Sequence, residues 1–365
     1  MIKSNLFDRM NYAGEVNWDL DKSNNFYSFM NIDILNGCDF SCHGCFVNKG
    51  TNSSNLENDL KIISKIADEI NASSLHLEEI ALGPTDFFSA KNTLDVIKHP
   101  DFKRLFKNPD TKFVMLSTLK AGPDEIREKL EVLEKYVGHL DIDLLIATDM
   151  DEFLTDPNYI SNMKIKWKVL EESGLEFDPA FQINIHPANL IKYDAENLTR
   201  LAQIIKTEFD TILEFNPSIL RIKHQKQKEN LHFWMQTIKE NFKKNADGFT
   251  YTMLNKGHSG MNNMVINFRN GNFYICPFIY ENVFSYENTY LIPKKGEEYT
   301  LNDLTTAKED FFIKQMQFSE KTTNCVGCEY LVSCSYKNVL TFMEANNIKD
   351  CFLGLGNGEI HGRAV

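Results

Sequence analysis

Eight cysteines are the residues of this chain whose type and spacing first suggest chemistry. Cys38, Cys42 and Cys45 lie within eight residues of one another, and the glycines and short polar residues among them favour a loop rather than a helix face. A [4Fe–4S] cluster is normally held by four thiolates. Three local thiolates would leave one iron open, as catalytic metal sites leave one position open for a substrate. The loop therefore predicts a catalytic cluster, with a zinc or redox-disulfide site as the alternative.

A second group of cysteines lies near the C-terminus. Cys325, Cys328 and Cys334 follow a Cys-x2-Cys-x5-Cys spacing, Cys351 lies further on, and Cys276 follows Gly271 in a Gly-x4-Cys segment. Four thiolates can close the coordination of a [4Fe–4S] cluster or of a zinc ion. The sequence predicts a second, structural metal centre here and leaves the metal open.

Composition narrows the class of protein. The 365 residues are 42% hydrophobic and carry a formal net charge of −12, which argues against a nucleic-acid partner. No apolar run approaches the roughly 18 residues of a membrane span, and the first twelve residues have no signal-peptide character. We therefore expect a cytoplasmic protein without a membrane partner, whose cysteines bind metal rather than form disulfides.

The elements that must position the first cysteine loop alternate between strand and helix. Apolar periodicity predicts strands at 26–35, 80–82, 112–119, 142–147, 181–185 and 211–215. It predicts intervening helices at 58–70, 92–106, from Pro123 to Val137, at 157–172 and at 198–209. Six such units indicate an α/β fold with a parallel sheet, either a partial (βα)6 TIM-like barrel or an open doubly wound sheet. In both, the active site lies at the carboxyl ends of the strands.

The predicted organisation has three parts. Residues 1–25 form an N-terminal extension, 26–225 the α/β core, and 226–365 a small loop-rich domain that holds the later cysteines. A helix is expected at 226–244, and a hairpin at 264–280 that turns at Asn270 and Gly271.

The Cys38-x3-Cys42-x2-Cys45 loop after the first strand resembles that of the radical S-adenosylmethionine (SAM) superfamily. The resemblance implies that the open iron chelates SAM, and that reduction yields a 5′-deoxyadenosyl radical which abstracts a hydrogen atom from a substrate. It also implies an electron donor such as flavodoxin or ferredoxin. The family usually has an aromatic residue just before the third cysteine, whereas here Gly44 stands there and Phe46 follows the cysteine. Phe46 is thus the candidate adenine contact.

The same resemblance suggests further SAM contacts, each at the end of a predicted strand. They are Gly83, Thr85 and Asp86 near the methionyl amino group, Ser117 and Thr118 near the carboxylate, Thr148 and Asp149 near the ribose, and Asn184, Ile185 and Asn189 near the adenine. Without the resemblance, residues 83–86 form an ordinary turn signal and Asp149 suits a helix N-cap equally well.

The C-terminal cysteines resemble the SPASM and twitch auxiliary domains of radical SAM enzymes. Cys325, Cys328, Cys334 and Cys351 match the outer auxiliary [4Fe–4S] cluster, whereas the second cluster of the full pattern lacks ligands, with Asn338 in one of their places. This leaves three readings for Cys276: a buried inert thiol, a catalytic hydrogen-atom donor to a substrate radical, or a replacement for Cys351 as cluster ligand.

The resemblance implies a radical SAM enzyme with a peptide or protein side chain as substrate, a peptide maturase. A dehydrogenase or epimerase of a small molecule, such as a natural-product sugar, is the alternative. A non-enzymatic zinc or iron–sulfur binding module is the alternative of another class.

Overall fold

The structure is a computed structural model that describes residues 27–37, 56–73, 77–83, 85–138, 140–185, 187–217, 230, 249–251, 263–269, 272–275 and 300–301. The strands are β1 (Tyr27–Asp33), β2 (Glu79–Gly83), β3 (Lys112–Ser117), β4 (Ile142–Thr148), β5 (Phe177–Ile185), β6 (Ile212–Pro217), β7 (Phe249–Tyr251), β8 (Asn263–Arg269) and β9 (Asn272–Ile275). The helices are α1 (Leu56–Ala72), α2 (Thr93–Lys98), α3 (Pro123–Val137), α4 (Met150–Thr155), α5 (Tyr159–Glu172), α6 (Pro187–Lys192) and α7 (Ala195–Phe209).

The strands form one sheet in the order β7-β6-β5-β4-β3-β2-β1-β8-β9. Strands β1 to β6 are parallel and adjacent in chain order. Such an order, with a helical connection between each strand and the next from β1 to β6, is that of a barrel wall and not of a doubly wound sheet, whose strand order reverses. The predicted α/β fold with a partial TIM-like barrel is confirmed.

The two faces of the sheet are packed differently. Alternate residues of the strands join the helices in the main core, in which α1 buries Ile63, Ile66 and Ile70 on one face. The other face carries a separate small cluster made of strand residues alone. Its buried members are Ala81, Val114, Leu145 and Ala180, and Phe29 and Leu116 pack against them.

Several predicted elements differ in detail. The helix expected at 92–106 divides into α2 and a 3-10 turn at Lys103–Phe106, because Pro100 disfavours helical backbone at the residue before it. The predicted hairpin is present as the antiparallel pair β8 and β9. Strand β8 pairs in parallel with β1, and β7 pairs in parallel with β6. Strands that follow the predicted boundary at 225 thus continue the sheet beyond both β1 and β6.

None of the helices in the described part of the chain is long and apolar enough to cross a membrane. Of the helix predicted at 226–244, only Asn230 is described, and it is helical.

Candidate functional site

The first cysteine loop begins at the carboxyl end of β1. This strand ends at Asp33, residues 34–37 follow it, and Cys38 comes next in sequence. All eight cysteines and Phe46 lie outside the described residues, so both predicted ligand sets stay predictions. Among the residues that are described, no three His, Cys, Asp or Glu side chains are grouped so as to hold a metal ion.

Residues 34–37, which we call the stem, are held by a side chain from the connection between β2 and α2. The Asn92 amide nitrogen donates a hydrogen bond to the Ile34 carbonyl at 2.6 Å. Its Oδ1 accepts one from the Asn36 amide at 2.8 Å. Asn92 is only 6% exposed, so both bonds are sheltered from water. One buried amide side chain therefore pairs backbone groups on both sides of Leu35.

Backbone hydrogen bonds complete the attachment of the stem. The Leu35 amide donates to the Gly83 carbonyl at 2.8 Å, and the Lys91 amide donates to the Asn36 carbonyl at 2.8 Å. Gly37 has a φ of +77°, and a Cβ there would lie 2.9 Å from Cδ of Lys91. Both its backbone conformation and its close neighbour favour glycine as the last residue before the cysteine loop.

Gly83, at the carboxyl end of β2, also has close neighbours. A Cβ at this position would lie 2.8 Å from Oδ1 of Asn31 and 3.2 Å from Oδ1 of Asp33 on the adjacent strand. Asn31 Nδ2 donates to Asp33 Oδ1 at 2.8 Å, so these two side chains share one face of β1. Two residues on, Thr85 Oγ1 is buried and makes no hydrogen bond within the part of the chain that the structure describes. The polar side chains of Asn31 and Asp33 thus pack closely against Gly83 where β1 and β2 end.

Asp86 connects the end of β2 to the end of β3. Its Oδ2 accepts hydrogen bonds from the Ser117 hydroxyl at 3.0 Å, the Thr118 hydroxyl at 2.8 Å and the Thr118 amide. Its Oδ1 accepts from the Ser89 amide at 2.9 Å and the Ser89 hydroxyl at 2.8 Å. Both carboxylate oxygens of this 8% exposed residue are therefore engaged within the protein. Three of the proposed SAM contacts therefore lie together, because Ser117 and Thr118 both donate to Asp86.

The turn after β3 is held by its own side chains and by one lysine from α5. Leu119 has a φ of +51°, and its amide donates to the Ser117 hydroxyl at 2.9 Å. Lys166 of α5 donates to the Leu119 carbonyl. Burial lowers the pKa of Lys166, and the charges of Asp86 and Glu152 partly oppose that shift. The turn is thus fixed in an uncommon backbone conformation by a half-buried cation.

Thr148 faces the helices. Its hydroxyl lies 3.0 Å from the Tyr159 hydroxyl of α5. Burial raises the pKa of Tyr159, and the charge of Glu152 raises it further. The phenol therefore stays protonated at neutral pH and can donate to Thr148. The predicted ribose contact by Thr148 is untested, but its hydroxyl already has a partner.

Asp149 is the N-cap of α4, as its side chain accepts from the Asp151 amide at 3.0 Å. The same oxygen, Oδ1, accepts from Nδ2 of Asn189 at 3.3 Å. Asn189 is 2% exposed and lies in α6. The structure thus brings together two of the predicted cofactor residues at the carboxyl ends of β4 and β5.

Asn184 and Ile185 end β5, and their backbones pair with Asn216 and Pro217 of β6. The predicted adenine region is therefore at the strand ends, as expected.

Sequence reasoning missed two residues in and around the connection between β2 and α2. Asn92 stands at the N-cap position of α2, but its side chain does not cap that helix and bonds to the stem instead. Lys129 of α3 is 4% exposed and donates to the carbonyls of Phe88 and Ala90, the latter at 3.2 Å. A helical Lys is normally a surface residue, so no sequence signal marked it.

No protein-family model and no curated protein sequence matches this chain. Among solved structures, a hexahistidine-tagged anSMEcpe with bound AdoMet matches it with a TM-score of 0.53 at 13% sequence identity, over 89% of this chain and 98% of that chain. An orotidine 5′-monophosphate decarboxylase from Methanocaldococcus jannaschii matches at 9% identity over 58% of this chain and 98% of that chain, but its TM-score of 0.23 carries no argument. At these identities the likeness concerns the fold. This chain therefore has the α/β fold of anSMEcpe, a protein whose structure contains bound AdoMet.

Proposed function

We propose that this protein is a radical SAM enzyme. The observation that carries the proposal is the position of the Cys38-x3-Cys42-x2-Cys45 sequence, which directly follows a stem fixed at the carboxyl end of the first barrel strand. The fold is shared with anSMEcpe, whose structure was determined with bound AdoMet. In barrels of this kind the chemistry takes place at the carboxyl ends of the strands.

The described residues fit a SAM molecule bound beside the cysteine loop. The Thr85 hydroxyl is buried with no hydrogen-bond partner in the described part of the chain, which suits a contact with a polar ligand. Gly83 has no Cβ, which would lie 2.8 Å from Oδ1 of Asn31, so its backbone packs closely against the polar side chains of β1. Thr85 is therefore the preferred SAM contact, Gly83 stays a contact that the resemblance implies, and Asp86 would act by holding their segment in place.

The three thiolates of the first loop would hold a [4Fe–4S] cluster with one open iron. With SAM on that iron, the cluster would supply one electron for cleavage to methionine and a 5′-deoxyadenosyl radical. Flavodoxin or ferredoxin is the class of donor proposed for this electron. Cys325, Cys328, Cys334 and Cys351 would hold an auxiliary [4Fe–4S] cluster.

The proposed substrate is a peptide or protein side chain. The C-terminal cysteine spacing supports it, because it resembles that of the SPASM domains of peptide-modifying radical SAM enzymes. Cys276 would lie just after β9, whose partner β8 pairs with β1. Because β9 is antiparallel to β8 and β1, it runs away from the carboxyl end of β1 and its last residue, Ile275, lies level with Met30, so the strand order does not favour the hydrogen-donor role over the other two readings of Cys276.

The test is anaerobic reconstitution followed by reduction in the presence of SAM. The intact protein should bind about eight irons per chain and form 5′-deoxyadenosine. Replacing Cys38, Cys42 and Cys45 together by Ala should abolish this product while about four irons remain. The matched control replaces Cys325 and Cys328 by Ala, and should lose iron from the other centre. Product formation by the first variant would overturn the proposal.

A further inference from the structure

Asn92 is a buried residue at a helix N-cap whose side chain does not cap its own helix. Asparagine at a helix N-cap normally accepts a hydrogen bond from the first turn of its own helix. Here Asn92 makes no such bond, although it stands at the N-cap of α2. Its side chain bonds instead to the carbonyl of Ile34 and the amide of Asn36, more than fifty residues earlier in the chain. Local rules that are broken in favour of a distant contact are expected at functional sites.

Both hydrogen-bonding groups of the Asn92 amide are used on the stem. The carbonyl oxygen accepts at 2.8 Å and the amino group donates at 2.6 Å, so the side chain contacts the stem through a donor and an acceptor at once. No other natural side chain of this length offers both groups on one planar end. The stem residues between these contacts are buried, with Ile34 1% and Leu35 0% exposed. Asn92 thus fixes the stem backbone together with the backbone hydrogen bonds to Gly83 and from Lys91.

The connection that carries Asn92 is itself anchored at several points. Thr93 Oγ1 donates to the Phe87 carbonyl at 2.7 Å and to the Ala90 carbonyl at 3.1 Å. Lys129 donates to two carbonyls of the same segment and pairs with Glu125 at 2.8 Å. The connection is therefore held by several hydrogen bonds that do not involve Asn92, so that losing one of them leaves the others in place, whereas the Asn92 side chain and the Lys91 amide join it to the stem.

We infer that Asn92 is a positioning residue for the cysteine loop, which it orients by fixing the backbone of residues 34–36 just before Cys38. This inference rests on the proposed function, because the loop matters only if it binds the cluster. Groups that hold metal ligands in place typically account for about 10–100-fold in metal affinity or activity. Asn92 would act at this level, without touching SAM or the iron.

The test compares Asn92→Ala with Thr93→Val, which removes two buried hydrogen bonds from the neighbouring residue and touches no stem residue. In the cluster-free protein, hydrogen exchange of peptides covering 34–37 should become about tenfold faster in Asn92→Ala and stay within about twofold in Thr93→Val. After reconstitution, the SAM dissociation constant, read from the change that SAM causes in the electron paramagnetic resonance spectrum, should rise about 10–100-fold in Asn92→Ala only.

Asn92→Asp keeps the acceptor for Asn36 but sets a carboxylate oxygen against the Ile34 carbonyl, so it should equal or exceed the effect of Asn92→Ala in both measurements. It also keeps the test decisive if Asn92→Ala does not fold. Equal behaviour of the position-92 variants and Thr93→Val would overturn the inference. A reconstituted, unsubstituted protein whose spectrum does not respond to SAM would instead refute the proposed function, and the exchange measurement would still report on the stem.

Discussion

Replacing Asp86 by Asn tests whether this residue holds the strand ends together or binds SAM. The carboxylate accepts hydrogen bonds from the backbone amides of Ser89 and Thr118, one on each oxygen. An Asn side chain has only one oxygen, so whichever way it is turned, its amino group faces one of these two amides. The hydroxyls nearby can rotate to accept, but a backbone N–H cannot.

The expected cost follows from that geometry. One charge-assisted hydrogen bond is lost. The Thr118 amide would be left without an acceptor, whereas the Ser89 amide would keep the carbonyl of residue 86 at 3.2 Å, so the expected destabilisation is about 1–3 kcal/mol. The control is Asp110→Asn, which changes an exposed carboxylate and should stay within about 0.5 kcal/mol. Urea unfolding of the cluster-free proteins, followed by circular dichroism, measures both free energies of unfolding.

Measuring SAM affinity identifies the alternative, in which Asp86 contacts the cofactor. If Asp86→Asn leaves the free energy of unfolding within about 0.5 kcal/mol of the control and weakens SAM binding, Asp86 contacts the cofactor. That result would refute the reasoning that its oxygens are used within the protein.

Three other changes test separate contacts. Gly37→Ala places a side chain at a φ of +77° and should destabilise the protein by about 1–3 kcal/mol, as measured by urea unfolding; an unchanged unfolding midpoint would show that this conformation is not required. A double-mutant cycle with Tyr159→Phe and Thr148→Val should give a coupling free energy of about 0.5–1.5 kcal/mol, and SAM affinity should stay unchanged. Weaker SAM binding by the Thr148→Val variant would instead support a contact between Thr148 and the ribose. The hydrogen bond from Arg104 lowers the pKa of Asp101, so stability from this pair is present above about pH 3.8 and is lost as the pH falls through the lower folded pKa. Asp101→Asn should therefore flatten the acid side of the stability profile, and an unaltered profile would contradict the shift.

The order of strands and helices was predictable because each element carries its own apolar period. The helix from Pro123 to Val137 has proline at its first position and a glycine after its end, and it was predicted at these bounds. The short helices α4 and α6 were missed, because six residues give too little periodicity to detect. Strands β7 and β8 were not seen as part of the same sheet, since strand pairing between distant segments leaves no local trace in a sequence.

The sequence predicted where the candidate site residues lie along the strands, but not which side chains contact one another. The sequence placed Ser117 and Asp149 at strand ends, where the structure has them. The N-cap role that the sequence offered for Asp149 is confirmed. The sequence did not show that Ser117 bonds to Asp86, or that Asp149 accepts a hydrogen bond from Asn189. Such contacts depend on side-chain directions set by the whole sheet. Asn92 was overlooked for the same reason, because only the folded chain brings it to the stem.

The most direct test of the central claim is the electron paramagnetic resonance spectrum of the reduced, reconstituted protein before and after SAM is added. If Cys38, Cys42 and Cys45 leave one iron open for SAM, the spectrum changes on addition, and 5′-deoxyadenosine and methionine then form in equal amounts. The triple Ala variant of these cysteines should show only a signal that SAM does not alter. A spectrum of the unsubstituted protein that is the same with and without SAM, and no 5′-deoxyadenosine, would contradict the account.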